Sequence, residues 1–206
     1  MPRCAPHPAG HPDIRDGRRH AGPLLEPVIW RQWPSARTAS AANVEAIERL
    51  AELPDRAKAR LVQAVARIYV GPGGVPDLDY LQHLRGNGEG RPPGTTWDQV
   101  AGVCWPELEI IAIGDIPSRS ACVSLHEVGH GLAHADALTE QRDFQAMFAY
   151  CRSALTDPLY EQLIGEFAAE SFARSFMPDK RPLVSWLGGN ESRALAVRAY
   201  WMRRYG

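Results

Sequence analysis

Residues 122–135 read CVSLHEVGHGLAHA, and they carry the strongest structural signal in the chain. His126 and His130 are four positions apart, so on a helix the two imidazoles lie on one face, about one turn apart. That spacing predicts that both rings bind one Zn²⁺, because imidazole nitrogen is a ligand that zinc prefers. Glu127 directly follows the first histidine, so we expect its carboxylate to reach a zinc-activated water rather than the ion itself. Glu127 is then the general base that takes a proton as the water attacks a carbonyl.

The residues around this HExxH pattern determine how strongly it supports a metal site. Such short patterns occur by accident in many proteins, so the pattern alone is moderate support for a metal site. Here β-type residues precede it, Leu125, Val128 and Leu132 give the helix an apolar face, and a second motif follows. Gly129 costs about 1 kcal/mol relative to alanine in the middle of a helix. Its presence predicts that another element packs close to the helix backbone there.

The second motif is residues 165–173, which read GEFAAESFA. Glu166 and Glu170 are four positions apart, so both carboxylates lie on one helix face, next to apolar side chains. Two carboxylates beside an apolar surface are unfavourable unless a cation or a donor is present. A zinc ion facing Glu166, with Glu170 accepting an N–H from a ligand histidine, resolves that conflict. The alternative is a solvated acidic pair, and the HExxH pattern favours the ligand interpretation.

Together the two motifs resemble those of the anthrax-lethal-factor-like domain. This is a gluzincin group of zinc metallopeptidases that includes the Pro-Pro endopeptidases. The resemblance covers about residues 66–177 and also includes the lead-in from Gly94 and the strand-like run that ends at Ile113. It implies that Glu166 is the third zinc ligand, after the two histidines, and that Glu170 lies behind the site.

The resemblance also implies a tyrosine that stabilises the oxyanion, and here the sequence departs from the family pattern. The family carries this tyrosine seven residues before the third ligand, a position that Leu159 occupies in this chain. The nearest tyrosine is Tyr160, one residue later. A slip of one residue in the loop that enters the helix restores the match, so we predict that Tyr160 is the oxyanion donor. The alternative is that Tyr160 packs the helix entrance.

Three other interpretations stay open at this point. The intracellular ImmA/IrrE-type regulatory metallopeptidases also combine HExxH with a later glutamate run that leads to Met177-Pro178, although the spacing from His130 to Glu166 is long for that group. Both resemblances imply the same ligands and differ in substrate and cellular role. A catalytically inactive peptide-binding module has the same fold, but the intact Glu127 argues against it. A toxin-like effector carrying this enzyme domain as its cargo is the third.

The length and composition of the chain indicate how many domains to expect. A chain of 206 residues with a hydrophobic fraction of 45% fits one domain of ordinary size. Residues 1–27 are rich in Pro, Gly, Arg and His and poor in large apolar groups, so we expect a disordered tail. We expect the metallopeptidase domain to span residues 40–206.

Charge and hydropathy restrict the partners and the location. The formal net charge is -1 and the pI is about 6.7, which gives no general attraction to nucleic acid or to anionic membranes. No apolar run reaches the roughly 18 residues of a membrane helix. The N-terminus lacks the apolar core of a Sec signal peptide. The sequence is compatible with a cytoplasmic location, with export by a non-Sec route and with a misassigned start. It does not predict the oligomeric state. A peptide or protein is the expected substrate.

The expected fold is α+β and zincin-like, with a small mixed sheet, an HExxH helix beneath the active-site cleft and a mostly helical C-terminal half. Two helices are expected to join near Pro54, one long helix to run from about Tyr160 to Phe176, and a last amphipathic helix to span Glu191 to Tyr205. An extended peptide is expected to add along an edge strand near Glu109 to Ile113, where backbone hydrogen bonds would give affinity.

Overall fold

A small four-stranded sheet and eight α-helices make up the fold in the computed structural model, which describes residues 3–12 and 14–206. The strands are β1 (Ile29–Arg31), β2 (Arg67–Val70), β3 (Gly102–Trp105) and β4 (Ile110–Ile113). The helices are α1 (Ala41–Glu52), α2 (Asp55–Leu61), α3 (Val123–Ala135), α4 (Arg142–Arg152), α5 (Pro158–Gln162), α6 (Ile164–Phe176), α7 (Arg181–Trp186) and α8 (Glu191–Tyr205). The predicted α+β class and helical C-terminal half are confirmed. Within the described ranges, no helix is long and apolar enough to cross a membrane.

The order of the strands places β3, rather than β4, at the edge of the sheet. The order is β1-β2-β4-β3, in which β3 runs antiparallel to β4 and the other pairs are parallel. All four residues of β4 are apolar and buried, as in an interior strand, whereas those of β3 are half-buried. The prediction of an edge strand near Glu109 to Ile113 is therefore wrong, because β4 has a neighbour on each side.

Helix α3, which carries the HExxH pattern, lies between the sheet and α6. Its apolar residues Leu125, Val128 and Leu132 are buried. They belong to the larger hydrophobic cluster, together with Ile111 of β4 and Phe172 of α6. Each such side chain stabilises the fold by about 1.5–3 kcal/mol relative to exposure. This packing fixes α3 against the sheet on one side and against the helix of the second motif on the other.

Most of the predicted helices are present with small shifts at their ends. The pair joined near Pro54 is α1 and α2, and the last amphipathic stretch is α8, so both predictions are confirmed. The single helix expected from about Tyr160 to Phe176 is instead two helices. Leu163 has an extended backbone, with φ −116° and ψ 98°, and this separates α5 from α6. Tyr160 therefore lies on a different helix from the second motif.

Several residues of the segment before β1, for which we expect disorder, contact the rest of the protein. Ala21 and Leu25 are buried in the main core. The guanidinium of the buried Arg31 donates to the backbone oxygen of Gly17 at 3.0 Å and also bonds the carboxylate of Glu26. Composition does not predict this packing. Only a few small or apolar residues are buried in the core, and the charged groups form pairs with one another.

Two predictions about the N-terminal segment are not tested by the structure. The predicted tail also covers Met1, Pro2 and Asp13, which lie outside the described residues. Whether residues 40–206 fold as a domain without the preceding segment stays a prediction.

Candidate metal centre

Three predicted site residues converge where α3 meets the first turn of α6. His126 and His130 lie one turn apart on α3, and their Nε2 atoms are 3.1 Å apart. Glu166 reaches toward both rings from α6. Its Oε2 is 3.4 Å from Nε2 of His126 and its Oε1 is 3.5 Å from Nε2 of His130. The three side chains offer ligand atoms that all lie within 4.8 Å of one another.

The spacing of these atoms fits a zinc ion. Ligand atoms at about 2.0–2.1 Å from a tetrahedral zinc lie about 3.3 Å from one another. The two Nε2 atoms are 3.1 Å apart, close to that edge length, and each has a different oxygen of Glu166 nearby: Oε2 is 3.4 Å from His126 and Oε1 is 3.5 Å from His130. Two imidazoles and one carboxylate are also a donor set of catalytic zinc sites, which keep a fourth position open. The side chains of His130 and Glu166 are 26% and 31% exposed, so the group opens toward solvent.

Glu170 lies behind His126, on the side away from Glu166. Its carboxylate is fully buried, and Oε2 is 3.0 Å from Nδ1 of His126. Burial acts to raise the pKa of Glu170, but the hydrogen bond with His126 and the charge of Arg174 outweigh burial and hold it below its ordinary value. Burial likewise acts to lower the pKa of His126, whereas its bonds with Glu166 and Glu170 raise it to about 10. The two carboxylates therefore stabilise positive charge at this ring.

Arg174 completes the surroundings of Glu170 and was not predicted from the sequence. Its Nε donates to Oε1 of Glu170 at 2.7 Å, and the backbone N–H of Ala121 donates to the same oxygen at 3.1 Å. The guanidinium also donates to the backbone oxygen of Pro182 at 2.8 Å and lies over the ring of Trp186. The spacing of Glu170 and Arg174, four residues apart on one helix, is a signal that could have identified this pair.

Glu127 lies beside the three converging side chains and packs against the edge strand. Its side chain is largely buried, and burial raises its pKa although the neighbouring His126 and His130 act to lower it. Gly102 of β3 makes room for it. A Cβ built at Gly102 would lie 2.8 Å from Oε1 and 2.9 Å from Cγ of Glu127. This contact was not predictable from the sequence, because it joins residues of two elements that are far apart in the chain.

Tyr160 lies on α5 with its ring in the core. The side chain is buried, and the ring packs edge-on against Trp186 with centroids 5.3 Å apart. Burial raises the pKa of Tyr160, and the charges of Glu170 and Glu166 raise it further. The hydroxyl therefore stays protonated at neutral pH and is a donor within the electrostatic reach of the two carboxylates.

The sheet, the HExxH helix and the His-His-Glu group together define a zincin-like fold. Residues 32–185 match the family model described as anthrax toxin lethal factor, N- and C-terminal domain. The match covers more than half of the chain, so the chain belongs to this family. This confirms the resemblance to the anthrax-lethal-factor-like zinc metallopeptidases.

Comparison with solved structures supports the same fold. The structure is similar to that of the Pro-Pro endopeptidase PPEP-2 from Paenibacillus alvei, with a TM-score of 0.68 and 17% sequence identity. The match covers 88% of this chain and 100% of that chain. At this identity the likeness shows a shared fold. A comparison with curated proteins gives no match.

Proposed function

We propose that this protein is a zinc-dependent endopeptidase in which His126, His130 and Glu166 hold the metal. The observation that carries the proposal is the convergence of two imidazoles and one carboxylate, whose ligand atoms lie within 4.8 Å of one another, with the two Nε2 atoms 3.1 Å apart. Membership of the lethal factor family supports the same activity. When bound, zinc supplies a Lewis acid that polarises a carbonyl and lowers the pKa of water to about 7.

Glu127 is proposed as the general base. It comes one residue after His126, and its carboxylate is held between α3 and Gly102 of the edge strand. From there it would take a proton of the water as the new C–O bond forms, and then give that proton to the amine nitrogen as the C–N bond breaks. Its burial keeps the carboxylate in one place, which favours proton transfer over a short and constant distance.

Two further groups support this chemistry in the proposal. Glu170 accepts the Nδ1 hydrogen of His126, which directs Nε2 toward the metal position, where the ion would take the place of the Nε2 proton. Arg174 holds Glu170 ionised and fixes its orientation. Tyr160 is proposed to donate its hydroxyl hydrogen to the oxyanion of the tetrahedral intermediate, since the charges of both Glu170 and Glu166 act on this hydroxyl.

The substrate is proposed to be a peptide that adds to the free edge of β3. The backbone N–H of Gly114 bonds the oxygen of Ala101, so in this antiparallel pair the backbone groups of Gly102 and Cys104 point away from β4. The backbone N–H of Cys104 already bonds the carboxylate of Glu127, so the groups offered to an extended chain are those of Gly102 and the carbonyl of Cys104. Because Gly102 also contacts Glu127, a peptide in this position passes close to the base.

The test is a digest of a peptide library by the zinc-loaded protein, with cleavage sites identified by mass spectrometry. Sequences with adjacent prolines belong in the library, because the similar structure is that of a Pro-Pro endopeptidase. The Glu127→Gln variant, loaded with zinc in the same way, is the control for contaminating proteases. Cleavage by the wild type alone supports the proposal. Zinc binding without any cleavage would instead favour a peptide-binding module on the same fold.

A further inference from the structure

A second polar site lies at the other end of α3, away from the candidate metal centre. It is a cleft of about 580 Å³ between α2, the end of α3, the start of α4 and the last turns of α8. The cleft is lined by Arg56, Ala59, Arg60, Gln63, Asp136, Asp143, Tyr200, Arg203, Arg204 and Tyr205. Asp136 is six residues beyond His130, which places it about 9 Å farther along the axis of α3.

The lining of the cleft carries an excess of positive charge. Four arginines face two aspartates, which leaves two uncompensated charges at neutral pH. The whole chain has a formal net charge of -1, so this excess is a local feature of the surface. A concave surface of one sign raises the local concentration of ions of the opposite sign.

Asp136, one of the two aspartates, already forms hydrogen bonds with side chains of the cleft. The carboxylate of Asp136 accepts from Nε of Arg60 at 2.6 Å and from the hydroxyl of Tyr205. Nε of Arg204 is 3.5 Å from the same carboxylate, yet it is buried and has no hydrogen-bond partner. A single carboxylate therefore compensates two guanidinium groups at the floor of the cleft. Nη1 of Arg204 donates to the hydroxyl of Tyr200 at 3.2 Å, so Nε is the atom of this group that lacks a partner.

The two arginines at the rim are available to a ligand. Arg56 and Arg203 are exposed, and the bond that Arg56 makes is to the backbone oxygen of Arg203, at 3.0 Å. Among the residues that the structure describes, neither has a carboxylate within ion-pair distance. Guanidinium groups bind carboxylate and phosphoryl oxygens through paired hydrogen bonds.

We propose that this cleft binds a small multivalent oxyanion, with phosphoryl or carboxylate groups, between Arg56, Arg203 and Arg204. Two excess positive charges match a ligand with at least two negative charges. The volume lies in the range of sites for small molecules, which is about 300–1,000 Å³. The proposal does not depend on the peptidase function, because it uses none of the residues of the candidate metal centre.

The test is isothermal titration calorimetry of the full chain at low ionic strength, with pyrophosphate in one series and citrate in the other. Saturable binding of at least one is expected, and the preferred probe identifies phosphoryl or carboxylate as the ligand chemistry. The double variant Arg56→Gln/Arg203→Gln should bind about tenfold more weakly or worse, since it loses charge-assisted hydrogen bonds. Arg203→Gln alone keeps the test valid if the double variant does not fold.

A matched control variant distinguishes specific binding in this cleft from non-specific electrostatic attraction. Arg37 and Arg152 are exposed and lie outside the cleft, so Arg37→Gln/Arg152→Gln removes the same charge elsewhere. This control should bind like the wild type. Equal weakening of both double variants, or no saturable binding of either probe, overturns the proposal. The titration is repeated with His126→Ala, and loss of binding there would mean that the anion had bound at the metal centre instead.

Discussion

Gly129 of α3 lies directly against the backbone of Ala169 of α6. A Cβ built at Gly129 would come within 2.8 Å of both the Cα and the carbonyl oxygen of Ala169. Real side chains essentially never come this close, so the two helix backbones touch here because residue 129 has no side chain. This confirms the prediction that another element packs against the helix at Gly129. The contact sets the separation between the two histidines on α3 and Glu166 on α6.

Substitution of Gly129 by alanine should therefore destabilise the protein. Alanine favours an isolated helix by about 1 kcal/mol over glycine, but overpacking costs about 1–3 kcal/mol. We expect a net loss of stability in urea unfolding, together with weaker zinc binding, because α6 must move away from α3. Gly165→Ala is the control on α6, where an added Cβ meets no atom within 4 Å. Equal stability of Gly129→Ala and wild type would contradict this account.

Replacement of Glu127 by glutamine tests the general base. Glutamine keeps the shape of the side chain but cannot take a proton, so activity should fall by about 10²–10⁴-fold. The zinc content, measured by elemental analysis, should stay at one per chain. His126→Ala should lose the metal, which separates the role of the ligand from that of the base. A Glu127→Gln variant as active as the wild type would show that another group takes the proton.

Arg174 should affect zinc binding although it does not approach the metal position. Its Nε holds Glu170, and Glu170 holds the ring of His126. In Arg174→Met this buried carboxylate loses its cation, so we expect zinc affinity to fall by about 10–100-fold, as for other groups that orient a ligand histidine. Competition with a chromophoric chelator measures the affinity directly.

The conservative variant distinguishes this role from a general loss of stability. Arg174→Lys keeps a cation beside Glu170 and should recover part of the zinc affinity. Arg174→Met and Arg174→Lys should both lose the bond to the backbone oxygen of Pro182, so that bond does not account for a difference between them. If the two variants bind zinc equally well, Arg174 does not act through Glu170.

The sequence was most informative where the chemistry is local. The period of a helix places His126 and His130 on one face, and the same rule places Glu166 and Glu170 together. The contact between α3 and α6 depends on packing between distant segments. Only the family resemblance predicted that these two helices are adjacent. The strand order was not predictable in this way, because β1 is a strand of three residues that the sequence pattern did not predict. Its pairing with β2 and the position of β3 beyond β4 together decide which edge is free.

Tyr160 is the site residue whose role depends most on distant packing. The break at Leu163 places it on α5, so its position relative to Glu166 follows from the fold of α5 and not from helical spacing. Its ring packs on Trp186, which also contacts Arg174, so one aromatic residue supports two groups behind the metal centre.

Replacement of Tyr160 by phenylalanine keeps the ring on Trp186 and removes the hydroxyl alone. If that hydroxyl donates to the oxyanion, kcat should fall by about 10²–10³-fold. KM should change little, because the bond forms mainly in the transition state. Zinc content should be unchanged, since Tyr160 is not a proposed ligand. Tyr150→Phe is the matched control, because Tyr150 is half exposed on α4 and should not affect either constant. An unchanged kcat in Tyr160→Phe would leave Tyr160 as a packing residue, and another donor would have to stabilise the oxyanion.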